Sequence, residues 1–257
     1  MIFVPLTDEL LTERYGEVAA YLDFLKLAVE RRATLSVKDG EQTLLLSLEL
    51  THTLKANVVL LLYSAAEATL IQLLDEIHDA IGNNCQSTDV LNGDLLRLVL
   101  KTIKNDRKAE LIKSVAPLHQ SLFAYWISDW KSRAAAKDKR GDGISGSVDG
   151  LVFYRQLKKF GVIAETPDDK PPKHLTNSAL QVVKNKRNQL AHGEKSFTDL
   201  GRELSVESLE ADFLAVFETL RKIATEVEQY LREQRYLAQP PAQAAAAPSA
   251  TAVGSEA

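Results

Sequence analysis

The chain has 257 residues, 45% of them hydrophobic and 26% charged, and a formal net charge of −4. That length suffices for one large domain or two small ones with a real core, and the balance is that of an ordinary soluble chain. There is no global positive field of the kind that advertises nucleic-acid binding, so any such binding must come from a local basic patch. The single cysteine, Cys85, excludes an internal disulfide and a multi-cysteine zinc site, and fits a reducing cytoplasm.

The opening MIFVPLTDELLTERYGE lacks a basic start followed by a long apolar run, so no signal peptide is expected. Thr7 can cap a first long helix, with Asp8 and Glu9 in its first turn, running to about Leu35. Asp39-Gly40 then makes a turn. TLLLSLEL (43 to 50) reads either as a short strand or as a helical or extended lead-in. From about Thr51 to Ile81 one helix follows, apolar on most faces and stopped by Gly82-Asn83-Asn84. Its most apolar part, VVLLLYSAA, is preceded by Asn57 and cut short by Glu67, too short for a membrane span. A central helix buried on most sides predicts a bundle.

DLLRLVLKTIK (94 to 104) is a further amphipathic helix, with a helical continuation through Trp126 and Trp130 that Pro117 either kinks or divides. KSRAAAKDKRGDGISGSVDG is a loop, basic at first and glycine-rich afterwards. A short helix, GLVFYRQLKKF, ends at Gly161, and TPDDKPPKH is again a loop. The next helix runs from about Leu175 to Ala191 and stops at His192-Gly193. After a connection of roughly a dozen residues, Ser205 caps a last helix to about Tyr236. The fold class is therefore all-α: a bundle of long up-and-down helices over residues 1–237. The Ala/Pro-rich tail, 238–257, offers nothing to bury and is expected to be disordered.

One stretch stands out, KNKRNQLAHGEKSF (184 to 197), which joins a basic run to a lone histidine where a helix stops. On a helical wheel Leu175, Ala179, Val182, Val183 and Leu190 gather on the core side. Lys186 falls within that stripe and must snorkel or lie at an edge, and Arg187 sits at its flank. His192 lies about 140° further round than Arg187, and shares a strip with Lys184 and Asn188. Histidine suits proton transfer, with an unperturbed pKa near 6.5, and the planar fork of arginine suits a phosphate. With 13 arginines and five histidines in the chain, chance places an Arg five residues before a His in about one such chain in four, so spacing alone is weak. The plainer reading is a histidine that favours the helix dipole, with a solvated arginine behind it.

The surrounding residues sharpen the reading. RNQLAHGEKSF resembles the R-x4-H motif of the HEPN superfamily, and the Gly-Glu-x-Ser-Phe continuation resembles its MAE-like branch of nucleases. LKANVVLLLYSAAEATL (54 to 70) resembles that branch's central helix, where an apolar-Tyr stretch leads into a glutamate, here Glu67. ISGSVDGLVFYRQLKKFGV (144 to 162) resembles its Ser-Gly-x-x-Asp loop and short helix, and the segment from 201 to 237 its closing helix. The resemblance covers residues 8 to 237. Ser64 and Ser147 stand where asparagine is more frequent, and both are read as loop and packing variation.

The resemblance implies a helical bundle that dimerises and brings two Arg/His pairs to one cleft. It further implies metal-independent RNA cleavage with the 2′-hydroxyl as internal nucleophile, a group DNA lacks. His192 would then take or donate the proton, Arg187 would stabilise charge on the five-coordinate phosphorus, and Asn188 would orient the phosphate or the histidine. No cofactor is implied. The setting would be a toxin or antiviral defence effector in the cytoplasm, with an inhibitory partner protein and no membrane.

Three further groups are candidates. Glu67 lies in the most apolar helix and needs a burial partner, for which Arg187 is available; the alternative is a glutamate at an exposed helix end. Lys184, Lys186 and Lys195 are placed for phosphate contact. The run 131 to 140, with Trp126 and Trp130 upstream, is either an RNA-binding strip or a solvated helix end beside core tryptophans. His52, His78, His119 and His174 have no partner at metal-ligand or catalytic spacing and read as structural or surface residues, and GDGISG lacks the ending of a phosphate loop. The rivals to a HEPN endoribonuclease are a non-catalytic HEPN-fold module that binds RNA, a nucleotide or a partner protein, and a purely structural bundle.

Overall fold

The computed structural model describes residues 3–30, 34–36, 43–105, 118–135, 147–164, 168, 170–176 and 178–239. In chain order its elements are α1 (Pro5–Glu30), β1 (Thr34–Ser36), β2 (Thr43–Leu45), α2 (Leu48–Asn84), a 3-10 turn (Thr88–Val90), α3 (Gly93–Asn105), α4 (Leu118–Ala135), α5 (Gly150–Lys159), α6 (Ser178–Ala191), α7 (Phe197–Arg202) and α8 (Val206–Arg232). The all-α reading holds, apart from one small antiparallel hairpin in which Thr34 pairs with Leu45 and Ser36 with Thr43.

α2 is the axis of the bundle. Val58, Val59, Leu62, Ala65, Ala66, Leu70, Leu73, Leu74 and Ile77 are all buried. At 100° per residue these positions cover about half of the helix circumference, too wide an arc for one neighbour, so it is satisfied only by neighbours on several sides. It packs against α1, α6, α7 and α8. By length and composition α2 could cross a membrane, but here the surrounding helices cover its apolar faces. The helix begins at the cap Ser47, whose hydroxyl accepts the Leu50 N–H at 3.2 Å, and ends where Cys85 returns its N–H to Ile81 at 2.9 Å. Gly82 does not stop it; the residue stays helical, with Ile127 of α4 against it.

Several sequence-based expectations are corrected. Thr7 does not cap α1: Pro5 takes the first helical position, where its missing N–H costs nothing, and the capping group is Glu76 of α2. Its carboxylate accepts the Leu6 N–H at 2.8 Å, the Thr7 N–H at 3.3 Å and the Thr7 hydroxyl. A carboxylate buried in a core needs such donors, and a helix N-terminus supplies them. α1 ends at Glu30 rather than near Leu35, because residues 34–36 give their backbone groups to the hairpin. TLLLSLEL is both things that it resembles, strand to Leu45 and helix from Leu48. The Asp39-Gly40 turn, Pro117, most of the run 131 to 140 and the tail beyond 239 lie outside the described residues.

The connection after α6 contains α7, six residues capped by Ser196 and too short for an apolar period to show in sequence. Trp126 and Trp130 are core residues. The Trp130 ring stacks on His78 at 3.7 Å and 5°, and its indole N–H donates to Asp75 at 3.1 Å. His78, with Nδ1 2.8 Å from the Leu74 carbonyl, is structural as expected. After α8 the chain folds back onto residues 90–92, with Tyr236 buried and Asn92 donating its N–H to the Tyr236 carbonyl at 2.8 Å.

Candidate active site

Arg187, Asn188 and His192 occupy the end of α6. Ala179, Leu180 and Val183 bury one face of that helix, and Lys186, within the same stripe, snorkels to Asp212 of α8 at 2.9 Å. The helix stops at Gly193, whose φ of 71° is open to glycine and strained for other residues. Its N–H returns to the Leu190 carbonyl at 3.2 Å, while the His192 N–H still donates to Asn188 at 2.9 Å. The imidazole therefore projects from the final turn, exposed, with no hydrogen-bond partner among the described residues.

Arg187 is held quite differently. Its guanidinium carbon lies 4.5 Å from the ring centroid of Tyr63 on α2, over the face of the ring. Its Nη1 donates to Asn188 Oδ1 at 3.1 Å, and Asn188 Nδ2 donates to Ser147 Oγ at 3.1 Å. The next residue, Val148, donates its N–H to the Tyr63 hydroxyl at 3.1 Å. Asp149 caps α5 through the Val152 N–H at 2.9 Å and accepts Lys184 at 2.6 Å. Gly150 follows because a Cβ there would stand 1.8 Å from the Leu175 carbonyl oxygen. The Ser147-Val148-Asp149-Gly150 loop thus clamps α6 to α2. Burial pushes the Tyr63 phenol above its ordinary range, helped by Glu67; the Val148 N–H and the Arg187 cation oppose that rise.

The predicted residues are brought together unequally. Asn188 and Lys184 bind the loop, Arg187 is linked to it through Asn188 and the Tyr63 ring, and His192 shares the Asn188 strip one turn on. Glu67 is half-buried, one turn beyond Tyr63, and of its two readings the ion pair with Arg187 is not formed: Arg187 has no carboxylate within 4.0 Å among the described residues. The aromatic face, rather than the carboxylate, receives the cation. The three lysines are already partnered, Lys184 by Asp149 (2.6 Å), Lys186 by Asp212 (2.9 Å) and Lys195 by Glu203 (2.5 Å). Of the Lys and Arg side chains from 184 to 195, only Arg187 is without an acidic partner among the described residues. Tyr63, Ser147 and Asp149 were not singled out as site residues in sequence, although each lies in a quoted motif. Ser147 is not mere loop variation; it binds Asn188.

The chain matches the family described as HEPN_MAE_28990-like HEPN over residues 6–236. It belongs to that family. No curated protein and no solved structure matches it significantly. HEPN domains are often ribonucleases, and the matched span of this HEPN chain contains the clamp loop, Tyr63 and the whole R-x4-H motif.

Proposed function

We propose that this HEPN protein is a metal-independent endoribonuclease, acting as a homodimer whose composite site takes an Arg187/His192 pair from each copy. The observation that carries the reading is the contrast within one helix end. Arg187 is pinned by an aromatic ring and an amide, has no acidic partner among the described residues, and there uses one of its five N–H donors. His192 is exposed at the same helix end, without a side-chain partner among the described residues. A cation without a carboxylate and a free imidazole at one helix end suit a phosphodiester, whereas a structural arginine ordinarily has a carboxylate.

In the reaction the RNA 2′-hydroxyl attacks the adjacent phosphorus. Its proton passes to a neutral imidazole, and the 5′-oxygen leaves with a proton from an imidazolium. The bond formed is 2′-O–P and the bond broken is P–O5′, so the products are a 2′,3′-cyclic phosphate and a 5′-hydroxyl. The acid and the base are His192 of the two copies. Arg187 stabilises the extra negative charge as phosphorus becomes five-coordinate. Asn188 orients the guanidinium, and Glu67, one turn from Tyr63, adds negative potential behind it. Lys184, Lys186 and Lys195 reach RNA only by exchanging their carboxylates for phosphate. The biological setting that suits such chemistry is a cytoplasmic toxin or antiviral effector restrained by a partner protein.

A second reading has one observation in its favour. Lys184, Lys186 and Lys195 are each paired with a carboxylate, as suits a non-catalytic module that binds a nucleotide or a partner protein. The test is incubation of the protein in EDTA with labelled RNA and the matching DNA, beside Arg187→Ala and His192→Ala. Cleavage of RNA alone, lost in both variants and leaving cyclic phosphate ends, is the expected result. RNA bound but uncut would move the assignment to the binding module.

A further inference from the structure

We infer that Tyr63 is a positioning residue for Arg187, so that the catalytic guanidinium is aimed from α2 as well as by its neighbour Asn188; this rests on the ribonuclease reading above. An arginine side chain on the last turns of a helix has many rotamers, and its charge is useful only if the planar fork meets the phosphate in one orientation. The ring of Tyr63 lies under the guanidinium at 4.5 Å, and Asn188 takes one N–H from the side. Stacking occupies the face of the cation and leaves its edge, where the remaining N–H donors are, without partners among the described residues.

The ring is itself fixed. Tyr63 is 4% exposed, and its hydroxyl accepts the Val148 N–H. Val148 lies between Ser147, which holds Asn188, and Asp149, which holds Lys184. The bond that fixes the platform and both α6 contacts therefore come from one three-residue stretch, so the loop sets the tyrosine and the arginine in a common frame. An ion pair with Glu67 would have placed a carboxylate where the phosphate must go. The stack supplies orientation without adding negative charge at the guanidinium edge.

The ring and the hydroxyl have separable roles, and this makes the inference testable. Tyr63→Phe keeps the stack and loses the Val148 bond; Tyr63→Met fills similar space without an aromatic face. Steady-state cleavage of a labelled RNA is measured over a range of RNA concentrations for wild type and both variants. Tyr63→Met should lose about 100-fold in kcat with KM little changed, and Tyr63→Phe should retain most of the activity. Equal kcat in wild type and a folded Tyr63→Met would overturn the inference. So would equal losses in both variants, since the hydroxyl and not the ring would then matter. Should Tyr63→Met not fold, NMR of the wild-type chain decides. Ring-current upfield shifts of the Arg187 δ-methylene and Nε–H signals are expected, and their absence overturns the stack. An inactive wild-type chain would instead overturn the ribonuclease reading itself, and the inference with it.

Discussion

Lys184 Nζ donates to Asp149 Oδ2 at 2.6 Å across 35 residues of sequence, and that contact joins the site helix to the loop that aims the arginine. Both side chains are largely buried, at 18% and 8% exposure, so neither tolerates the loss of the other well. Asp149 also caps α5. Asp149→Ala therefore removes a cap worth about 1 kcal/mol and strands a lysine, for a total of roughly 2–3 kcal/mol. Lys184→Met leaves the cap and should cost less. Urea unfolding of both variants and of the double variant checks this; equal costs for the two singles would refute the double role of Asp149.

His192 is exposed and without side-chain partners among the described residues. Its replacement by alanine should change stability by no more than about 0.5 kcal/mol while abolishing cleavage. Thermal melts beside activity assays separate the two effects. Arg187→Lys should behave almost as badly as Arg187→Ala, with a loss of about 100- to 1000-fold, because an ammonium neither stacks as a plane nor presents a fork. A lysine variant with near wild-type activity would show that charge alone suffices.

Burial holds the Glu76 carboxyl above its ordinary pKa, against the lowering effect of the Thr7 and Leu6 donors. A carboxyl whose folded pKa exceeds its unfolded value contributes stability that is complete below the unfolded pKa, and loses it as pH rises through the folded pKa. Compared with Glu76→Gln, which cannot titrate, the wild type should therefore lose stability as pH rises from about 4.5 past that raised value. Unfolding midpoints of both proteins across this range give the difference directly. A difference that grows in favour of the wild type would reverse the sign.

Trp130 stacks on His78 inside the core. Trp130→Ala should cost about 3–5 kcal/mol through the cavity it leaves, and Trp130→Phe less. RNA affinity per folded molecule should not change. Weaker RNA binding by a folded Trp130→Phe would restore the tryptophan to an RNA-binding surface.

Much of the fold could be read along the chain, because local rules decide it. The apolar run of α2 predicts its burial, Ser205 and Gly193 mark helix ends, and RNQLAHGEKSF places arginine and histidine at one such end. Family membership, too, follows from sequence alone. Tertiary structure decided the rest, wherever two interacting groups are distant in the chain. Glu76 caps a helix that begins 71 residues before it, so Thr7 looked like the cap. Arg187 had two partners of opposite kind one turn apart on α2, the Glu67 carboxylate and the Tyr63 ring. Composition favours the carboxylate; only the packing of α6 against α2 showed that the cation lies over the ring. The lysines next to the motif looked free for phosphate until Asp149, Asp212 and Glu203 arrived from other elements. Sequence thus supplied the Arg187-Asn188-His192 part of the candidate site, while the pairing of its charges was set by contacts between elements, over 8 residues for Lys195 and Glu203, 35 for Lys184 and Asp149, and more than a hundred for Arg187 and Tyr63.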